Sequence, residues 1–466
     1  MAAYAARTAA LMFQHAAAAP SGAALSTVSI AVANPTAPLA LGVDESYELT
    51  IPADGSAATI TAATNYGAFW ALQTLTQLVA FDFEGGGYAV AGVPVVVTDG
   101  PKFPWRGLMV DTSRHWLTLP ALYTIIDALT YAKLNTLHWH IVDWQAWPLQ
   151  SKALPALWAA SWSPRERYTL RDVAAVLEYG RARGVRVVLE FDTPGHASSM
   201  CVSYPAMCCG AVGGATPLTP VPDATGKNVS LDAIRAVLSE LAALPSAGEF
   251  LHLGGDEVDQ SCWNSTPSVR AWMKEHGIDT TDGVYEYFIS AVDAAVLALN
   301  VSPIRWEEVW AHFGTGLDKR TVVHAWLSRA ALVNATSHGY RAIYSVNSDY
   351  YLSGPHINMQ WPVFYDADPL EGVAVASAPL VLGGETALWA ETVDGSDAVA
   401  TIFPRAAAAA ERQWSYDHVT NSKAPFVEAR LAAFRCHLLE RGVGAAPLDN
   451  AVAHDAPHGP GSCTRQ

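Results

Sequence analysis

Between residues 107 and 383 this 466-residue chain carries eight short apolar runs, and that succession restricts its fold more than any other feature. The runs cover 107–111, 136–142, 185–191, 250–254, 303–306, 321–325, 342–346 and 380–383. Amphipathic stretches of helical spacing lie among them at 119–134, 170–183, 231–244 and 283–300, with a further one at 401–412. Parallel strands need a helical crossover between them, so strand–helix alternation predicts a parallel sheet, and eight units invite closure into a (β/α)8 TIM barrel. The fold class is therefore α/β, with the barrel and a C-terminal tail over 101–466. Residues 1–100 read differently: an Ala-rich helical start, alternating segments at 26–32 and 46–51, and a helical stretch at 66–79. They predict a small accessory α+β domain, N-terminally incomplete, ahead of the barrel.

In such a barrel chemistry is assembled where the strands end at their C-terminal side. Here those ends carry Arg114, Asp143, Asp192 with His196, Asp256 with Glu257, Trp306 with Glu308, Trp326, Tyr351, and Trp389 with Glu391. Each alone has a plain structural explanation, since tryptophan is ordinarily core and arginine ordinarily a surface charge. Eight loaded ends are hard to produce from packing alone. Aromatic walls, several carboxylates and one arginine suit a sugar ring, whose C–H faces stack on indoles while its hydroxyls need donors and acceptors.

The richest stretch is FLHLGGDEV at 250–258, an apolar run ending in Gly254, Gly255, Asp256 and Glu257. Paired acids at the N-terminus of a following helix can merely complement its dipole. At the mouth of a barrel strand they can also protonate a leaving oxygen and stabilise positive charge at an anomeric carbon.

The formal charge of −16, with 15% charged residues, makes a polyanion such as nucleic acid a poor partner. No uninterrupted apolar run reaches the ~18 residues that a membrane-crossing helix needs. Six cysteines, at 201, 208, 209, 262, 436 and 463, show no CxxC spacing and are compatible with three disulfides. Four glycosylation sequons begin at Asn228, Asn264, Asn300 and Asn334. Together these favour a lysosomal or secreted location, although the first residues lack a basic segment followed by a clean apolar one, so the start reads as trimmed.

The motifs RGLMVDTSRHWL (106–117), LNTLHWHIVD (134–143), EFDTPGH (190–196), HLGGDEVDQSCW (252–263), RWEEVW (305–310), LWAETVD (388–394) and RAAAAAERQWS (405–415) carry a resemblance over nearly the whole chain. It resembles the β-N-acetylhexosaminidases of glycoside hydrolase family 20, of the eukaryotic lysosomal type. The resemblance implies an exo-acting enzyme that removes terminal β-linked GlcNAc or GalNAc with retention, and no cofactor or metal. Family 20 is among the exceptions to two-carboxylate chemistry: the substrate's own 2-acetamido group attacks the anomeric carbon and forms an oxazolinium ion. On that resemblance Glu257 is the general acid and base, Asp256 holds the acetamide, and Tyr351 donates to its oxygen. Trp306, Trp326 and Trp389 enclose it, Arg114 and Glu391 bind hydroxyls, and Asp143 with His196 supports Glu257. It also implies that Cys262 pairs with Cys208 or Cys209 and Cys436 with Cys463, and a homodimer is a further expectation.

Two positions depart from the family pattern. Trp144 stands where a second acid often follows Asp143, and Ser353 stands where Asp or Asn is common, which bears on GlcNAc against GalNAc preference and 6-sulfate tolerance. Two rival readings remain. His138 and His140 lie on one face of a strand, like the HxH ligand pair of metal-dependent amidohydrolase barrels. A catalytically silent glycan-binding homologue would use the same scaffold.

Overall fold

A computed structural model describes residues 1–17, 24–210, 216–418 and 421–448. Eight parallel strands close into a barrel in chain order: Trp105–Asp111, Thr136–Val142, Arg186–Phe191, Phe250–His252, Ser302–Trp306, Val322–Ala325, Arg341–Tyr344 and Val381–Leu388. The last pairs with the first, Glu385 opposite Gly107. Helices such as Leu119–Tyr131, Leu170–Arg181, Val229–Ala242 and Thr281–Ala298 cover the outside. Their starts are written locally: Thr118 caps the first, and Thr169 with Asp172 forms a reciprocal capping box on the second.

Three expected elements differ. The fourth strand stops at His252, because Gly254 and Gly255 turn to φ +58° and +103°. The eighth runs on to Leu388, its glycine-rich start having hidden a segment that pairs with the first strand as far as Val110. The helix expected at 401–412 is two, Ala398–Ile402 and Arg405–Trp414, since Pro404 has no N–H to continue the first and restricts the residue before it.

Ahead of the barrel, Val28–Asn34, Ala58–Thr64, Tyr47–Ile51 and Val95–Asp99 form a four-stranded mixed sheet in that order. Helix Asn65–Leu78 packs on it through Phe69, Trp70 and Leu75 against Leu49, Ile51 and Ile60. Buried Glu45 joins this unit to the barrel, accepting from Trp70 Nε1 (2.9 Å) and from Arg106 Nη1 and Nη2 (3.0 and 2.8 Å). Among the described residues no helix is long and apolar enough to cross a membrane.

The barrel interior changes character along its axis. Its lower end is an apolar plug of Trp105, Val188, Phe250, Ile304, Val322, Ile343 and Leu382. Above it the second, fourth, sixth and eighth strands contribute His138, His252, His324 and Glu385, all at most 1% exposed. Buried polar groups are tolerable only when they are hydrogen-bonded, so this layer constrains everything built on it.

Two disulfides, Cys201–Cys208 and Cys209–Cys262, pin the segment between the third and fourth strands. Of the two partners expected for Cys262, Cys209 is the one found; Cys463 lies outside the described residues.

Candidate active site

Every candidate side chain stands at or beyond the C-terminal end of a barrel strand. After the first, Asp111 Oδ1 accepts the backbone N–H groups of Ser113 and Arg114 and so folds the loop that presents Arg114. The Arg114 guanidinium lies 4.9 Å over the Trp389 ring, with Nη2 2.8 Å from Asp143 Oδ2 and Nε donating to Gln145 Oε1 (2.9 Å). Asp143 Oδ1 is 3.1 Å from His196 Nδ1, and His196 Nε2 is 3.4 Å from Glu257 Oε2 and 3.9 Å from Asp256 Oδ2. Charges thus alternate from Arg114 through Asp143 and His196 to Glu257.

The electrostatics follow from that order. Burial works against an ionised Asp143, but the charges of His196 and Arg114 overcome it and hold its carboxyl far below the usual range. Burial likewise opposes a charged His196, and Asp143 and Asp256 more than compensate, so its imidazole is protonated well above its ordinary range. The hydrogen bond from His196 lowers Glu257, against a smaller effect of burial.

Asp256 and Glu257, neighbours in sequence, have opposite surroundings. Asp256 is 6% exposed, and burial, followed by the charge of Asp192, raises its carboxyl well above the ordinary value. Burial also raises Asp192, to about 6. Two buried carboxyls in contact cannot both ionise, so the pair holds a proton between them. The Glu257 side chain is 56% exposed at the mouth. What sets the two apart is the backbone. Gly255 N donates to Asp192 Oδ1 (2.7 Å), and a Cβ on Gly254 would stand 1.9 Å from that same oxygen. Glu257 and His196 themselves sit at φ +48° and +49°, a region that costs a non-glycine residue about 1 kcal/mol or more.

Opposite lies an aromatic recess. Tyr351 is bridged to Ala387, lies parallel to Trp326 at 6.1 Å and 6.4 Å from Trp389, and Trp389 is 6.1 Å from buried Trp306. Trp326 donates Nε1–H to Glu308 Oε2 (2.8 Å), while Glu307 accepts the backbone N–H groups of Trp326, Leu327 and Ser328. Burial and the nearby Asp256 charge raise Glu308 to about 7. Exposed Glu391 shares with Arg114, Gln145 and Trp162 the lining of a cavity of about 560 Å³.

The catalytic-domain model of glycosyl hydrolase family 20 matches residues 103–417, and a model described as beta-acetyl hexosaminidase like matches 5–78. This chain belongs to glycoside hydrolase family 20. It is 40% identical over 454 residues to Beta-hexosaminidase 1 of Arabidopsis thaliana, covering 95% of this chain and 81% of the relative. To Beta-hexosaminidase subunit alpha of Bos taurus it is 36% identical, covering 88% and 77%. The chitobiase of Flavobacterium johnsoniae superposes with a TM-score of 0.79 at 27% identity, over 89% of this chain and 63% of that one. An exo β-N-acetylglucosaminidase from Vibrio harveyi, at 24% identity and TM-score 0.80 over 95% and 72%, shows the shared fold.

In this family 20 hydrolase the sequence reading missed the layer beneath the site. Glu190, inside an apolar strand, is fully buried: Oε1 accepts from Trp306 Nε1 (3.0 Å) and lies 2.9 Å from His252 Nδ1, while Oε2 is 2.5 Å from His140 Nδ1 and 2.9 Å from His138 Nε2. One carboxylate thereby fixes both the Trp306 wall and, through His140 and Asp143, the line to Glu257. The available signal was strand alternation, which turns Glu190 and His252 inward with the rest of their face.

The same contacts decide the HxH rival. His140 has Nδ1 on Glu190 and Nε2 on Asp143 (2.7 Å), and His138 has Nδ1 on Glu385 (2.7 Å) and Nε2 on Glu190. With both nitrogens of each ring within 3 Å of a carboxylate oxygen, the pair is engaged by acids rather than left as an open ligand set. Donor atoms also converge within 4.8 Å at His138/His252/His324 and at Asp192/His196/Asp256, and in both groups they already contact one another or a neighbouring carboxylate.

Proposed function

We propose that this enzyme cleaves terminal non-reducing β-linked N-acetylhexosamines, GlcNAc or GalNAc, from glycoconjugates, with Glu257 as acid and base and Asp256 as the group that steers the substrate's acetamide. One observation carries this reading: two consecutive carboxyls differ in environment, one exposed beside a protonated histidine and one buried against a second acid. Such a split is how neighbouring carboxyls acquire different tasks.

In the first step Glu257 gives its proton to the glycosidic oxygen while the acetamide oxygen bonds to the anomeric carbon and the aglycone departs. Asp256, sharing a proton with Asp192, takes the acetamide N–H, and the Tyr351 hydroxyl donates to the acetamide oxygen. Trp306, Trp326 and Trp389 shape a recess that excludes water from the forming ring. In the second step the Glu257 carboxylate removes a proton from water, whose oxygen attacks the anomeric carbon and reopens the ring with overall retention. Free Glu257 is held ionised by His196; a sugar covering its exposed face removes water and raises its proton affinity, which supplies the acid form. Arg114 and Glu391 bind ring hydroxyls, and Asp143 keeps His196 charged and Arg114 in place. A homodimer and a lysosomal or secreted location complete the proposal, the latter supported by the two disulfides.

The test is a panel of aryl β-glycosides: N-acetylglucosaminide, N-acetylgalactosaminide, their 6-sulfates and plain glucoside, with a thiazoline mimic of the cyclic intermediate as inhibitor. The expected result is hydrolysis confined to the acetamido sugars and competitive inhibition by the thiazoline. Equal cleavage of the glucoside, or indifference to the thiazoline, overturns the mechanism. Tight thiazoline binding without turnover would favour a silent glycan-binding protein.

A further inference from the structure

The barrel closes in chain order, so the fourth and fifth strands stand across it from the eighth and first. Arg114 and Glu391 follow the first and eighth strands, and Asp256 with Glu257 follows the fourth. A sugar with ring hydroxyls on Arg114 and Glu391 and its glycosidic oxygen at Glu257 therefore spans the mouth. Its aglycone, joined to that oxygen, leaves over the ends of the fourth and fifth strands, where Glu308 stands.

Glu308 is the second of two consecutive acids after the fifth strand, and the fold uses them differently. Buried Glu307 engages both oxygens within the chain: Oε2 accepts the backbone N–H groups of Trp326, Leu327 and Ser328, and Oε1 accepts from Ser328 Oγ (3.1 Å). Half-buried Glu308 gives only Oε2 to another residue, Trp326 Nε1 (2.8 Å), and no other described residue bonds to its Oε1. Burial first, and then the charge of Asp256, lifts this carboxyl to about 7, so in acid it is protonated and can donate as well as accept. A sugar hydroxyl matches both roles. Next to the Trp326 ring, Leu327 is 48% exposed, its backbone N–H fixed by Glu307. A half-buried carboxyl with one uncommitted oxygen and an exposed leucine beside it both gain when a sugar covers them.

We infer that Glu308 and Leu327 form the subsite for the sugar on the reducing side of the cleaved bond, with Glu308 Oε1 contacting one of its hydroxyls and Leu327 lying against its C–H face. The inference rests on the reading above of Glu257 as the acid and of Arg114 with Glu391 as the hydroxyl partners. The enzyme thus reads two residues of its glycan: the terminal acetamido sugar in the aromatic recess and the sugar behind it on this rim. A glycoside with a second sugar is then a better substrate than one whose aglycone is a bare alkyl group.

The experiment compares, in the full chain, kcat/KM for diacetylchitobiose, which carries a second sugar, with that for methyl N-acetyl-β-glucosaminide, which carries none. The unmodified enzyme should favour the disaccharide. Glu308→Ala should lower the ratio of the two by about tenfold, through KM for the disaccharide, and Leu327→Ala by about threefold. Glu308→Gln keeps an acceptor for Trp326 Nε1 and a polar group toward the aglycone, so it should restore most of the ratio. A role confined to holding Trp326 slows both substrates in parallel; an unmoved ratio in Glu308→Ala overturns the assignment. An unmoved ratio in Leu327→Ala overturns it as well, and that variant decides if Glu308→Ala does not fold. Should the unmodified enzyme cleave neither acetamido sugar, the hydrolytic reading fails; should it cleave both while the ratios stay put, only the subsite does.

Discussion

His196 bridges Asp143 and Glu257, with its two ring nitrogens 3.1 and 3.4 Å from their oxygens, so a buried imidazole lowers the proton affinity of the exposed acid. Because His196 lowers Glu257, the acid form is depleted as pH rises, and kcat/KM should be highest on the acidic side of neutrality. Asp143→Asn removes the anion that keeps His196 charged, so the cation beside Glu257 is lost at lower pH. The alkaline limb of the pH–rate profile should then move upward by about one unit while the maximal rate falls. A limb that stays in place separates Asp143 from the proton chemistry.

Glu257→Gln preserves shape and removes the transferable proton. Turnover of an aryl N-acetylglucosaminide should drop by roughly 10²–10⁴-fold, while the thiazoline still binds within an order of magnitude of the original affinity. Near-normal turnover would reassign the acid.

Asp256→Asn abolishes the proton shared with Asp192 and the orientation of the acetamide. A fall in kcat of about 10²-fold or more is expected, and added azide should not restore it, because no enzyme nucleophile has been removed. Azide rescue with a glycosyl azide product would identify Asp256 as a nucleophile instead.

Gly254→Ala tests the backbone beneath both acids. Its φ of +58° disfavours any side chain, and the new methyl would stand 1.9 Å from Asp192 Oδ1. Thermal unfolding should report a loss of more than about 2 kcal/mol, accompanied by loss of activity. Unchanged stability would mean that this turn relaxes freely.

Much of this was written locally. Apolar runs separated by amphipathic stretches specify a parallel barrel, since strand and helix periods are properties of neighbours in sequence, and Asp256, Glu257, Arg114 and Tyr351 stand out because polar residues directly follow apolar runs. The break at Pro404 and the continuation of the last strand to Leu388 were harder to see, one because a single residue overrides a helical pattern, the other because pairing with residues 278 positions away stabilises a segment of poor strand composition.

Only the folded molecule decided which acids act together. Glu190 reads as an odd residue in an apolar strand until closure of the barrel brings Trp306, His138, His140 and His252 to its two oxygens. Asp192 and Asp256, 64 positions apart, become a coupled pair through burial in one place. Proton affinity depends on distance and dielectric in three dimensions, and sequence order carries neither.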